Sequence, residues 1–278
     1  MNELLRALAV FNKYLPNSAT LADLLHGTAT IRLLSGLFSP ETKPSYAMAL
    51  TAFNRPGYLR EVLYTLANNA GLEKYTLHVG LEPANADVVK VCDGIQFMPT
   101  VIHRNPHSLG VAHNPYNTIK TIFDTTDVPG VLYLEDDVIL SPDAVRLATW
   151  YLEHPERDKY LCLNLYNHDS KADADPGQIY PGTGFSALCL AVTRHNWKTH
   201  FEPNWYRDGA GWDHSVTGLI AEKKLQVLLP AISRSHHIGR EGGTFYTTAY
   251  DHIYCNNPMC TQPAKEFRIE KLAPSPAA

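Results

Sequence analysis

Three consecutive acids, Glu135, Asp136 and Asp137, are the residues of this sequence with the clearest chemical potential. They follow the apolar and aromatic stretch 131–134, and such a short run predicts a buried strand. Buried carboxylates are normally paired or bound to metal, because three of them repel one another unless a cation lies among them. Mg²⁺ and Mn²⁺ prefer carboxylate and phosphate oxygens, so the triplet indicates a site for a divalent metal and a diphosphate. The structural alternative is an acidic turn before a helix capped at Ser141.

The sequence before the triplet alternates between strand and helix patterns. Strands are predicted over 46–53, 75–81, 97–103 and 131–134, with helices over 58–69, around 88–91 and over 115–123. This alternation predicts an α/β fold with a mostly parallel sheet flanked by helices. Ligands bind beyond the carboxyl ends of such strands, so Asn54, Arg55, Glu82 and Arg104 are expected beside the acids. The sequence has no GxGxxG or GxxxxGK[ST] motif, which argues against a dinucleotide-binding fold and a P-loop.

The patterns after the triplet are shorter. Helices are predicted over 142–154, 194–201 and 213–222, and strands over 160–166, 185–192 and 226–229. Loops are predicted over 167–181, 203–211 and 232–245. The last of these contains His236, His237 and the glycines Gly239, Gly242 and Gly243, which suit a mobile cover over a ligand or ordinary turns.

Composition limits the class of protein. With 278 residues, 45% hydrophobic and 19% charged, the chain is typical of a soluble globular enzyme. Its net charge is −4, and the sequence has no cluster of Lys and Arg, so it shows no pattern typical of a nucleic-acid-binding surface. Five scattered cysteines predict reduced thiols, and Cys255 and Cys260 lack the partners of a zinc site. We find no leader pattern and no apolar run of transmembrane length, and therefore expect a cytoplasmic protein without stable membrane insertion.

Three regions are predicted along the chain. Residues 1–44 form an N-terminal helical appendage and linker, which is a candidate surface for homo-oligomer formation. Residues 45–257 form the catalytic domain. Residues 258–278, which contain Pro263, Pro274 and Pro276, form a loosely held C-terminal tail.

Five motifs mark the region from about 46 to 245. In chain order they are Ala52-Phe53-Asn54-Arg55-Pro56, Glu135-Asp136-Asp137-Val138 with Pro142-Asp143, Pro181-Gly182-Thr183-Gly184-Phe185, Gly211-Trp212-Asp213, and Ile232-Ser233-Arg234-Ser235 with His237 and Gly239. In this order they resemble the GT-A glycosyltransferases, in particular the N-acetylglucosaminyltransferase I family and its O-mannose-specific relatives. The resemblance implies a Rossmann-like GT-A fold, a divalent metal (Mn²⁺ or Mg²⁺) and inverting transfer of a sugar from a UDP-sugar.

The resemblance also implies roles on the donor side of the site. Asp137 would be the metal ligand, Asp136 would face the ribose and Glu135 the donor sugar. The segment from Ala52 through Asn54 to Arg55 would lie by the uridine and the diphosphate. Glu82 stands where the family usually has Asp facing uracil, and this departure puts the base preference in doubt.

Four further residues complete the predicted site. Asp213 matches the catalytic base of the family, with a helix N-cap as its structural alternative. Trp212 would stack on an acceptor sugar or base, as Trp205 and Tyr206 also could, with an ordinary core or half-buried surface position as the structural alternative. His237 would bind metal or diphosphate, or make a structural hydrogen bond. Arg234 would lie near the diphosphate or in a structural ion pair.

The chemistry of sugar transfer needs these groups. A metal that bridges both phosphates stabilises the charge of the leaving diphosphate, and in-line attack needs one carboxylate to accept the proton of the acceptor hydroxyl. A nucleotide-sugar pyrophosphorylase is an alternative, although its usual Gly-rich, lysine-bearing loop is absent after the first strand. A non-catalytic nucleotide or glycan binder is another, and the presence of both Asp137 and Asp213 argues against it.

The acceptor stays open at this stage. It could be a glycan, a protein, a small molecule or a hydroxymethylated base in DNA, and the acidic balance does not favour DNA. The missing secretory anchor points to a bacterial or viral cytosolic protein.

Overall fold

The computed structural model describes residues 44–83, 85–205, 211–241 and 256–270. Backbone contacts divide the chain between Glu41 and Thr42, close to the boundary predicted at residue 44. The predicted N-terminal helices, Tyr206, the glycines Gly242 and Gly243, Cys255 and the chain from residue 271 lie outside the described residues.

Eleven strands are described. They are β1 (Tyr46–Ala52), β2 (Tyr75–Leu81), β3 (Thr100–Arg104), β4 (Gly130–Glu135), β5 (Val138–Leu140), β6 (Leu163–Asn164), β7 (Gln178–Gly182), β8 (Cys189–Thr193), β9 (Val227–Pro230), β10 (Ser235–His237) and β11 (Arg268–Ile269). Nine of them form one sheet in the order β11-β7-β9-β6-β8-β4-β1-β2-β3, while β5 and β10 form a separate pair.

The described helices cover both faces of the sheet. They are α1 (Pro56–Ala67), α2 (Ala86–Asp93), α3 (Gly110–Thr125), α4 (Ala144–Glu153), the short α5 (Arg194–Asn196) and α6 (Trp212–Lys223). A π-helix, Trp197–Phe201, continues α5. Side chains of α1, α2 and α4 enter one apolar cluster, and those of α3, α6 and the π-helix enter the other.

The predicted α/β fold with a mixed, mostly parallel sheet is confirmed. The four strands β3, β2, β1 and β4 run parallel, and β8 reverses the direction beside β4. Alternate residues of β1 enter opposite clusters, as Met48 and Ala49 do. Burial on both faces explains why these strands read as near-continuous apolar runs.

Two predicted loops contain strands. The polar stretch 167–181 contributes β7, which pairs with β9, and the stretch 232–245 contributes β10. Because β10 runs antiparallel to β5, His237 lies opposite Val138, directly after the acid triplet. This small pair therefore brings a late segment of the chain to the centre of the predicted site.

Two local predictions are wrong. Helix α4 begins at Ala144, and Ser141 does not cap it but donates from its hydroxyl to Asp143. The loosely held tail does not begin at 258, because β11 pairs with β7 and the amide of Ala264 donates to Asp143 at 2.9 Å. Residues 256–270 thus form part of the bonded fold.

Candidate active site

The carboxyl ends of β1, β2 and β4 lie side by side. The amide of Glu82 donates to the carbonyl of Ala52 at 3.0 Å, and the amide of Phe53 donates to Oδ2 of Asp136 at 3.1 Å. Open α/β sheets bind ligands at this edge. The predicted donor-site residues on these three strands are therefore brought together, whereas Asn54 is exposed and its carbonyl accepts a long bond of 3.4 Å from the side chain of Asn85.

Arg55 joins two acids of the triplet. Its guanidinium lies 2.5 Å from Oδ1 of Asp136 and 2.6 Å from Oδ2 of Asp137, and both carboxylates are buried. Burial opposes the charge of Arg55, but the charges of Asp137 and Asp136 raise its pKa. Burial raises the pKa of Asp136, with Arg55 opposing the shift. The cation that the sequence requires among the acids is thus supplied in part by the protein itself.

Asp137 is the centre of the cluster. Its Oδ2 lies 3.1 Å from Nε2 of His237, and its carbonyl accepts from the amide of Ile238 at 2.9 Å. Burial acts to raise the pKa of Asp137, but the hydrogen bond to His237 and the charge of Arg55 outweigh it and hold the pKa below its usual range. An ionised Asp137 next to imidazole and guanidinium is suited to binding a cation together with an anion.

The backbone of Gly239 lies close to this carboxylate. A Cβ added at residue 239 would lie 2.1 Å from Oδ2 of Asp137 and 3.0 Å from the guanidinium of Arg55. Any other residue would have to displace one of the two charged groups. The backbone of residue 239 can therefore pass over Asp137 only because it is glycine.

The residues present fit a divalent metal that also binds a diphosphate. Oδ1 of Asp137 is buried and has no hydrogen-bond partner within the described part of the chain, and His237 is a second potential ligand. Among the described residues no group of three or more His, Cys, Asp or Glu side chains is arranged for a metal ion. Mg²⁺ and Mn²⁺ sites of this kind take their remaining ligands from water and substrate phosphate.

Glu135 lies behind the pair of aspartates. It is half-buried and accepts a hydrogen bond of 2.9 Å from the hydroxyl of Tyr133, which also lies 3.4 Å from the hydroxyl of Thr51. Burial and the charge of Asp137 raise the pKa of Glu135 to about 8. Glu135 is therefore the acid of the triplet that ionises last.

Asp213 lies in the first turn of α6, and the alternative in which it caps the helix is wrong. The helix begins at Trp212, and the cap position is Gly211, whose φ of 134° favours glycine. The ring of Trp212 meets that of Tyr133 edge to face at 6.0 Å. Since Tyr133 also donates to Glu135, the start of α6 is held on the same side of the sheet as the triplet.

Trp212 does not offer a ring face to an acceptor. It is 4% exposed and stacks on Trp205 at 4.2 Å with the planes 4° apart, while Phe185 meets it edge to face. The predicted acceptor-stacking role is therefore replaced by a structural one. Because Trp212 is fixed in this aromatic cluster, it holds the neighbouring Asp213 in position.

The carboxylate of Glu82 binds the N-terminus of a helix and does not face a nucleotide base. It is 4% exposed, and its two carboxylate oxygens accept from the amides of Leu109 and Gly110 at 2.8 and 2.9 Å. It thereby satisfies the N-terminus of α3, where negative charge is favourable. This contact also explains why α3 begins at Gly110, earlier than the predicted 115.

Arg234 forms a structural ion pair, and its predicted place near the diphosphate is wrong. The side chain is 0% exposed, and its Nε donates to Asp143 at 2.8 Å. Its other two nitrogens donate to the carbonyls of Ile232 and Pro176. With every guanidinium nitrogen bonded inside the protein, Arg234 cannot contact a ligand.

Sequence patterns did not indicate Tyr58. Its hydroxyl accepts from the amides of Arg240 and Glu241, and the guanidinium of Arg55 lies 5.8 Å from its ring centre. The signal in the sequence is its position three residues after Arg55, which is the cap residue of α1, so that Tyr58 lies in the first turn of the helix.

The described helices include none with the length and apolar character that crossing a membrane requires.

Two solved structures are similar in fold. S. aureus TarS 1-349 in complex with UDP-GlcNAc has a TM-score of 0.50 at 10% sequence identity, over 74% of this chain and 63% of that one. Mannosyltransferase PcManGT from Pyrobaculum calidifontis in complex with GDP-Man and Mn²⁺ has a TM-score of 0.45 at 14% identity, over 76% of this chain and 66% of that one. This chain thus spans less than two thirds of the length of either protein.

The likeness to the TarS structure shows the fold alone, an α/β sheet of the GT-A type. The sequence itself matches no family model and no curated protein. The N-acetylglucosaminyltransferase I family is represented by neither structure, so the resemblance to that family stays a prediction.

Proposed function

We propose that this protein is a metal-dependent, inverting glycosyltransferase that moves a sugar from a nucleotide-sugar, with UDP-sugars as the first choice, to an acceptor hydroxyl. The observation that carries the proposal is the cluster of Arg55, Asp137 and His237 at the carboxyl edge of a GT-A-type sheet. It combines an ionised carboxylate, one of whose buried oxygens has no partner among the described residues, with two groups that bind phosphate.

The donor half of the proposed site consists of the residues around Asp137. Asp137 and His237 would hold the metal, which when bound neutralises the charge that develops on the leaving diphosphate. Arg55 would orient the diphosphate through its planar donor fork. Asp136, bonded to the amide of Phe53, would accept from the ribose, and Glu135 would face the donor sugar.

The proton-accepting group of the proposed reaction is Asp213. Asp213 is half-buried in the first turn of α6, next to Trp212, whose ring contacts the ring of Tyr133. Inversion needs attack from the face of the sugar opposite the leaving group, so one carboxylate on the acceptor side is sufficient. In this role Asp213 takes the proton from the acceptor hydroxyl as the new glycosidic bond forms.

Thermal unfolding with a panel of UDP-, GDP- and TDP-sugars, each with and without Mn²⁺, tests the proposal. A ligand at a hundredfold excess over its Kd stabilises the fold by about 2.7 kcal/mol, so a donor should raise the melting temperature clearly in the presence of Mn²⁺.

Asp137→Asn should abolish this shift, and Asp173→Asn, at an exposed acid outside the site, should leave it unchanged. Absence of a shift with every nucleotide-sugar would reject the glycosyltransferase proposal.

A further inference from the structure

We propose that Tyr58 is a positioning residue that holds the 238–241 segment over Asp137 and thereby sets the affinity for the diphosphate of the donor. The inference rests on the proposed function, since the ligand is the nucleoside diphosphate of that reaction. Tyr58 differs in role from the groups that would touch this ligand, because its hydroxyl bonds to the backbone of the 238–241 segment.

The 238–241 segment crosses the site directly after His237. The amide of Ile238 donates to the carbonyl of Asp137 at 2.9 Å, and the amide of Arg240 donates to the carbonyl of Ile238, also at 2.9 Å, in a tight turn. At the apex of this turn Gly239 lies against the carboxylate of Asp137. The segment is therefore anchored at its beginning by the acid that it covers.

Tyr58 anchors the other end of the segment. Its hydroxyl oxygen accepts from the amide of Arg240 at 3.3 Å and from the amide of Glu241 at 3.2 Å. These bonds join residues that are 182 and 183 positions apart in the chain. One hydroxyl on the first turn of α1 thus fixes the position of the covering turn relative to the sheet.

The same side chain contacts the guanidinium that joins the acids. Cζ of Arg55 lies 5.8 Å from the centre of the Tyr58 ring, and the two residues line one side of a cavity of about 470 Å³ together with Gly57, Glu61 and Glu241. Tyr58 therefore connects three parts of the donor site: Arg55 through its ring, the 238–241 segment through its hydroxyl, and α1 through its backbone.

Removing the hydroxyl alone separates these effects. Tyr58→Phe keeps the ring beside Arg55 and deletes both bonds to Arg240 and Glu241, so the segment keeps its anchor at Asp137 and loses the one that follows Gly239. Two lost bonds of ordinary strength predict that UDP in the presence of Mn²⁺ binds about five- to thirtyfold more weakly. Tyr64→Phe is the matched control, because Tyr64 is on the same helix and is 43% exposed.

Two measurements on the full-length protein test the proposal. Hydrogen exchange of the ligand-free protein should show faster exchange of the Arg240 and Glu241 amides in Tyr58→Phe than in wild type or Tyr64→Phe. Calorimetric titration with UDP and Mn²⁺ should show the weaker binding in Tyr58→Phe only.

The outcomes distinguish the anchoring role of Tyr58, its effect on donor affinity and the proposed function. Unchanged exchange in Tyr58→Phe overturns the anchoring role, whether or not UDP binds. Faster exchange with unaltered UDP affinity overturns the link to the donor. If wild type binds neither UDP nor any other nucleoside diphosphate, the proposed function fails and the inference about donor affinity fails with it, while the exchange data still report on the anchor.

Discussion

Nε2 of His237 and Oδ2 of Asp137 lie 3.1 Å apart, although the two residues are separated by 100 positions in the chain. The contact depends on the antiparallel pairing of β10 with β5, which aligns His237 with Val138. The same oxygen of Asp137 thus contacts both an imidazole and the guanidinium of Arg55.

This contact makes His237 a test of metal binding. His237→Ala should reduce the gain in UDP affinity that Mn²⁺ provides by about tenfold or more. Mutating a residue that merely hydrogen-bonds to a metal ligand already costs about tenfold in metal affinity, and losing a ligand itself should cost more. UDP titrations in Mn²⁺ and in EDTA measure the gain. His236→Ala is the control, since His236 bonds to the carbonyl of Asn257. Equal losses of affinity in Mn²⁺ and in EDTA would show a role for His237 without metal.

The glycine over Asp137 should not tolerate a side chain. Gly239→Ala places a methyl group 2.1 Å from Oδ2 of Asp137, so either the carboxylate or the backbone must move. We expect UDP binding with Mn²⁺ to weaken by at least about tenfold, which corresponds to 1.4 kcal/mol. Gly184→Ala is the matched substitution, because its Cβ would have its nearest neighbour at an ordinary 3.8 Å. Similar affinities in the two variants would contradict the close approach.

If Asp213 is the base, its loss should slow sugar transfer without weakening donor binding. Asp213→Asn should reduce transfer by about a hundredfold to ten-thousandfold, the range typical of general-base catalysis, while UDP affinity stays unchanged. UDP release from a donor in the presence of a panel of hydroxyl acceptors measures transfer. Glu222→Gln, at an exposed acid near the other end of α6, should transfer at the wild-type rate. Full transfer activity in Asp213→Asn would move the base elsewhere.

Arg234 should be essential for stability and not for ligand binding. Arg234→Met leaves Asp143 buried without its main cation, and loss of one partner from such a pair costs about 3–5 kcal/mol. Urea unfolding measures this loss of free energy. The folded fraction of the variant should bind UDP with wild-type affinity at low temperature. A stable Arg234→Met protein that has lost UDP binding would restore the diphosphate role.

The histidine pair on β2 and β3 predicts acid sensitivity. Nδ1 of His78 lies 2.9 Å from Nε2 of His103, and burial, with the His103 charge second, lowers the pKa of His78 to about 4. The unfolded chain therefore binds a proton below its ordinary pKa of about 6.5 that the folded state does not bind. Stability is present above that pH and is lost as the pH falls towards 4, by up to about 1.4 kcal/mol per pH unit.

Unfolding in urea at pH 7, 6 and 5 measures this slope. His78→Gln should flatten it, whereas His107→Gln, at an exposed loop position, should not. A slope that is equal in wild type and His78→Gln would place the acid-sensitive group elsewhere.

The parallel half of the sheet was predictable because burial on both faces leaves long apolar runs. Strand β2 has the predicted bounds, 75–81. Strands β5, β7 and β10 have only three to five residues, β7 and β10 carry polar side chains, and the pairing of all three is decided by partners far along the chain. No periodicity in a single segment reports such pairing.

The site divides in a similar way. Asp136, Asp137 and Arg55 were predicted to lie together from strand ends alone, and the structure brings them together. Arg234 and Trp212 were assigned to ligands by motif position, and Glu82 by its strand end and its place in the family. All three are buried: Arg234 and Glu82 are hydrogen-bonded within the protein, and Trp212 packs in an aromatic cluster. A motif identifies the residue type at a position, whereas burial and the number of satisfied hydrogen bonds depend on tertiary packing.

Asp143 has a consequence for how the chain folds during synthesis. Its carboxylate is satisfied by Arg234 and by the amide of Ala264, and the acid triplet likewise meets its histidine only through β10. Strands β1 to β4 have all been translated by residue 135, and the N-terminal part of a chain generally folds first on the ribosome. A nascent chain can therefore pair β1 to β4 well before residues 235–237 are translated and β10 places His237 beside Asp137.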